Sequence, residues 1–121
     1  MEPALVIKTA AALLGLAAVV GMALAGIRLT GKPYPPAALA MAHGLAAGAA
    51  LTLLIYATFA VGVPMMVAAA TVILLAAAGI GAWLNLGFHA QQKAIPIGMM
   101  TAHILIAVTG FAVLLAALMG F

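Results

Sequence analysis

Residues 36–61, PAALAMAHGLAAGAALTLLIYATFAV, contain no Asp, Glu, Lys or Arg. A helix that crosses a bilayer needs roughly 20 predominantly apolar residues, and this stretch is long enough. Pro36 can open a helix but not continue one. At the far end, Gly62 and Pro64 force a tight turn. The segment therefore reads as one membrane-spanning helix with a single imidazole, His43, placed within it.

Working outward, the same pattern recurs three times. Apolar runs cover about 4–27, 64–88 and 96–121. They are separated by the polar stretch Arg28–Pro36, the short turn at Gly62–Pro64 and the polar break His89–Pro96. The expected fold is all-α: a transmembrane four-helix bundle, up-down-up-down, forming one domain over 1–121. Of the 121 residues 69% are hydrophobic and 4% are charged, whereas a soluble domain carries about 25% charged residues. Ala and Gly recur in every run, and such residues let helices approach closely in lipid.

Composition also excludes chemistry. There is no Cys, so disulfides, thiolate nucleophiles, iron–sulfur clusters and Cys-type zinc sites are ruled out. Glu2 is the only acid, which leaves no intramembrane carboxylate for a proton-coupled transporter and no carboxylate pair or Ser-His-Asp triad for hydrolysis. A net charge of +3 is too small to indicate a nucleic-acid partner.

Arg28, Lys32 and Lys93 all fall in the first and third connections, on one side of the bundle. Cytoplasmic loops favour Lys and Arg, so that side is expected to be cytoplasmic and both termini to lie outside. Lys8 opposes this assignment, and can snorkel to the outer interface. Lys8, the first apolar run and Ala23-Leu-Ala25 also have the form of a cleavable secretory signal; the internal symmetry argues that helix 1 is retained.

That symmetry appears when the chain is shifted by 60 residues. Gly21 then meets Gly81, Leu24 meets Leu84, Pro36 meets Pro96, and Ala42-His43 meets Ala102-His103. Pro and His are rare here, which makes their coincidence informative. The expectation is a duplicated two-helix hairpin, with repeats of about 1–60 and 61–121 related by an axis along the membrane normal.

His43 and His103 each lie seven residues past a helix-opening proline, roughly 10 Å into the membrane at about 1.5 Å per residue. On helices 2 and 4, diagonal neighbours in an up-down-up-down bundle, both imidazoles reach the same depth and can meet across the axis. Ionisable groups inside a membrane are costly and usually functional, and imidazole is the commonest metal ligand. His43 and His103 are therefore the expected metal ligands. Ala47 and Ala107 lie one turn deeper on the same faces, with Ala50 and Gly110 a further turn on. All four are small enough to leave room for a flat macrocycle. Gly21 and Gly81 are placed near the same depth, where the backbone can approach a ring closely. Arg28, two turns after Gly21, and Asn85, one turn after Gly81, are expected to hold acidic groups at the boundary. Lys32 and Lys93 read as interfacial anchors, and His89 lies at the same boundary.

This set resembles the four-helix transmembrane b-type cytochromes, which include the haem-carrying membrane anchors of respiratory enzymes. The resemblance implies one haem b per chain, held by His43 and His103, with Arg28 the best partner for its propionates. It implies electron transport in a bacterial inner membrane, exchanging with a quinone or with partner redox subunits, rather than a stand-alone enzyme. Members with two haems carry a second His pair near the opposite face; here that half holds Tyr56, Met65, Met66 and Met119. A copper-binding or copper-transport protein is the alternative, using Met41, Met99 and Met100 beside the two His, because thioethers select Cu(I). A purely structural subunit is a further alternative. A second copy of the chain is also an admissible partner.

Overall fold

The computed structural model describes residues 2–120. Helix α1 spans Pro3–Leu29 and opens on a proline, which lacks only an N–H that a first turn leaves unpaired anyway. Helix α2, Ala37–Tyr56, begins after Pro36. It runs on as a π-helical turn over Ala57–Val61. Helix α3, Met65–Leu84, begins after Pro64 and likewise continues through a π-helical turn, Asn85–His89. Helix α4, Ile97–Leu118, follows Pro96. The expected spans hold to within a few residues. Helix α4 stops at Leu118, and Phe121, assigned to it from sequence, lies outside the described residues.

The outer turn is made by Gly62 at φ 88°, a left-handed conformation that a residue without Cβ adopts freely. Its N–H closes the π turn on the Ala57 carbonyl at 2.9 Å.

All four segments are long and apolar enough to cross a membrane, and the chain has the form of an integral membrane protein. The shortest, at 22 residues, reaches about 33 Å, against a hydrocarbon core of about 30 Å. Large apolar side chains are accordingly exposed around the bundle, among them Val19, Leu45, Phe59, Val72 and Leu105.

Helix α1 packs along α2 and α3 along α4. The two hairpins then meet more lightly, α1 on α4 and α2 on α3. The diagonal pairs are α1 with α3 and α2 with α4, the up-down-up-down arrangement expected from the short connections. The packed core fills the end near the Gly62 turn, where Ile7, Leu14, Leu54, Val67, Leu74 and Leu114 interlock. Positions 60 apart are buried together: Ile7 with Val67, Ala10 with Ala70, Leu14 with Leu74, Ala17 with Ala77, Leu54 with Leu114, and Ala57 with Ala117. A smaller cluster of Leu84, Ile95 and Met100 closes the opposite end. Between them the bundle is hollow.

The polar connections are stitched together. The Ile95 N–H donates to the Pro33 carbonyl at 2.9 Å, Arg28 Nε donates to the Ile95 carbonyl at 2.9 Å, and His89 Nε2 donates to the Pro35 carbonyl. The Tyr34 ring stands edge-on to His89. This arrangement predicts that single cysteines at Thr30 and Gln91 react with a membrane-impermeant maleimide from one side of a sealed vesicle. A cysteine at Met65 should react only from the other. Labelling of all three from one side would refute the four-span topology.

Candidate functional site

The hollow middle is a cavity of about 950 Å³, near the top of the range of roughly 300–1,000 Å³ for small-molecule and cofactor sites. Small residues, Gly21, Gly44, Ala47, Gly48, Gly81 and Ala107, make room for it, and larger apolar side chains such as Leu24, Met41, Ile104 and Phe111 complete the lining. Every residue singled out from the sequence as a ligand or neighbour lines it: His43, His103, Gly21, Gly81, Ala47, Ala107, Arg28 and Asn85. Ala50 and Gly110 do not. Both are buried in the solid half, and a Cβ on Gly110 would fall 2.8 Å from Leu74 Cγ. Their expected place beside a macrocycle is therefore corrected: both belong to the packed half, and Gly110 is small because Leu74 and Ile73 fill the space beside it.

The two imidazoles are set by one interaction made twice. His43 Nδ1 donates to the Ala17 carbonyl at 2.8 Å, and His103 Nδ1 donates to the Ala77 carbonyl at 2.7 Å. Both acceptors lie 26 residues before their histidine, and the pairs repeat at the 60-residue offset. A carbonyl can only accept, so Nδ1 must carry the proton. In a neutral ring, Nε2 is then left with its lone pair.

The glycines make these bonds reachable. A helical side chain covers the turn N-terminal to its own Cα, so residue 21 lies over the carbonyl of Ala17, and residue 81 over that of Ala77. A Cβ on Gly21 would sit 3.0 Å from His43 Cε1, and one on Gly81 would sit 2.9 Å from His103 Cε1. Sequence reasoning gave this room to a macrocycle; the structure gives it first to the imidazole. The carbonyl acceptors were missed, since a backbone group leaves no mark in the residue type.

The ring centres of His43 and His103 are 6.1 Å apart with planes at 77°. With metal–imidazole bonds of about 2.0–2.1 Å, two imidazoles on opposite sides of one metal have ring centres roughly 6 Å apart. Neither Nε2 makes a hydrogen bond among the described residues, and no buried side-chain nitrogen or oxygen among them lacks a partner. The Nε2 atoms therefore open onto the cavity.

Among the described residues no three His, Cys, Asp or Glu come together. A metal here would find two imidazoles, and one that needs more ligands must draw the rest from elsewhere. The methionines are dispersed. Met41, 64% exposed, and Met100, packed with Leu84 and Ile95, both line the cavity, while Met99 lies against the Leu84 cluster outside it.

At the boundary end, Arg28 is half-buried, and its only side-chain hydrogen bond among the described residues is from Nε to the Ile95 carbonyl. Its terminal nitrogens are left for a ligand. Asn85 and His89 share the π turn over Asn85–His89 and both line the cavity. Lys32 and Lys93 lie outside it.

No protein-family model, curated protein or solved structure matches the chain.

Gly21→Val and Gly81→Val should each destabilise the bundle by about 1–3 kcal/mol as the imidazole is forced away from its carbonyl. Gly79→Val, with nothing within 4 Å of its Cβ, should stay within about 0.5 kcal/mol. Reversible unfolding in mixed micelles measures all three. If Gly81→Val costs no more than Gly79→Val, these glycines are not what admits the histidines.

Proposed function

We propose that this chain is a membrane-embedded haem b protein that carries electrons between a quinone or partner redox subunits, with His43 and His103 as the two axial ligands of one haem. The observation that carries the reading is the matched pair of imidazoles. Each is held by Nδ1 on a backbone carbonyl, opens Nε2 onto one cavity, and has its ring centre 6.1 Å from the other. Metal-ligating histidines commonly donate their second nitrogen in this way, which fixes tautomer and orientation and raises ligand basicity.

The remaining residues fit the same group. The cavity is apolar over most of its length and polar at one end, where Arg28 and Asn85 stand. A haem has the same polarity, with its propionates at one edge. Arg28 would pair with a propionate through the terminal nitrogens left free by its Nε bond, and Asn85 would donate beside it. When bound, the haem supplies one-electron exchange. His43 and His103 would hold the group, and with both imidazoles engaged the site would suit electron exchange rather than the binding of oxygen or substrate.

The polar end carries Arg28, Lys32 and Lys93, which supports a cytoplasmic placement in a bacterial inner membrane with both termini outside. The equivalence of positions 60 apart supports descent from a duplicated hairpin. Electrons would enter and leave near the polar end, because the opposite half is solid with apolar side chains.

The purified, haem-reconstituted protein should show a low-spin spectrum with resolved α and β bands on reduction, unchanged by carbon monoxide. His43→Ala and His103→Ala should each lower haem retention at least tenfold, and His89→Ala should keep it. Retention by both axial variants, or a colourless protein that binds Cu(I) instead, would overturn the reading.

A further inference from the structure

A shallow, open groove of about 420 Å³ lies at the polar end, apart from the central cavity. Its lining includes Lys32, Tyr34, Pro35, His89 and Gln92. It touches the central cavity only through Pro35 and His89, which line both. Nothing in the proposed electron-carrying role uses it.

Its chemistry is one-sided. Lys32 brings a full positive charge, while the Tyr34 hydroxyl and the Gln92 amide have no side-chain hydrogen-bond partner among the described residues. His89 spends Nε2 on the Pro35 carbonyl. No carboxylate opposes them. The chain's single acid, Glu2, caps the far end of α1, a whole membrane thickness away. Lys93 adds positive charge at the same end. An anion that neutralises this end must therefore come from outside the chain.

The place is also restrained. Tyr34 is held edge-on by His89, the Pro33–Pro36 segment is pinned by the Ile95 and His89 bonds, and Gln92 sits in a left-handed conformation at φ 56°. The backbone that carries the donors is therefore fixed, and of the donors themselves the Tyr34 ring is the one held by a neighbour, so its hydroxyl loses least freedom on binding.

We infer that this groove binds a phosphate anion, with the phosphodiester headgroup of an anionic lipid as its source. Lys32, Tyr34 and Gln92 are its donors, and His89 is the floor. The depth favours the lipid, because headgroups lie where the polar connections leave the hydrocarbon. A basic residue near an anionic surface contributes about a fivefold gain in affinity, and a hydroxyl and an amide at fixed positions add selectivity for a phosphate over charge in general.

The test uses the full chain in an uncharged detergent, with native mass spectrometry as the readout. The probes are dioctanoyl phosphatidylglycerol, dioctanoyl phosphatidylcholine and inorganic phosphate. Phosphatidylglycerol should bind at least fivefold tighter than phosphatidylcholine. Lys32→Gln should weaken it about five- to tenfold, and Tyr34→Phe, which changes no charge, should weaken it at least threefold. Lys93→Gln, outside the groove, should change it less than twofold. Matched thermal melts of the variants show that each has folded. Displacement of the lipid by an equal concentration of inorganic phosphate would support the phosphate site and assign its source to a soluble phosphate compound. Equal losses in Lys32→Gln and Lys93→Gln with none in Tyr34→Phe, or no preference between the two lipids, would overturn the site and leave only diffuse attraction.

Discussion

The structure turns on a hydrogen bond between an imidazole of one helix and a backbone carbonyl of the helix before it, made once in each hairpin. In lipid the hydrophobic effect does not press helices together, so van der Waals packing and interhelical hydrogen bonds carry their association. Such bonds contribute about 0.6 kcal/mol on average inside a membrane protein, a modest amount. Their importance here is geometric. Each bond fixes which nitrogen of His43 or His103 bears the proton, where the ring stands, and how closely α1 meets α2 or α3 meets α4. Gly21 and Gly81 serve that bond, and the cavity follows from it, because a helix that admits an imidazole at one level must carry small residues around it.

The bundle divides its length between two tasks. The half near Gly62 is filled by interlocked aliphatic side chains and has no polar ligand. The half near Arg28 gives up packing to keep a hollow of about 950 Å³. Protein interiors are normally close-packed, and voids of this size cost stability in proportion to their volume. The solid half and the stitched connections offset that cost, and a group that filled the hollow would stabilise the folded bundle further by binding only to it.

Much of this could be read from residue order, and the reasons are physical. Uninterrupted apolar runs and the prolines at 36, 64 and 96 leave few alternatives to four spanning helices, because a bilayer forbids unpaired backbone. The 60-residue offset picked out His43, His103, Gly21 and Gly81, since rare residues at matched positions are hard to produce by chance. Other features left no such trace. The acceptors for Nδ1 are the carbonyls of two alanines among many. The role of Gly110 depended on which way Leu74 points. The bonds linking Pro33, Pro35, Arg28, His89 and Ile95 join segments more than fifty residues apart, and periodicity within a helix says nothing about them.

The placement of the imidazoles on the second and fourth helices has a consequence for biogenesis. Each hairpin carries one histidine with its own carbonyl and its own glycine, so each half is prepared locally as it enters the bilayer. The shared space between them forms only when the second hairpin docks on the first, through the lighter α1–α4 and α2–α3 contacts. A group held by both imidazoles, if the proposed function holds, could be gripped fully only once both hairpins are in place. The site is thus a property of the contact between the two halves, and of neither hairpin by itself.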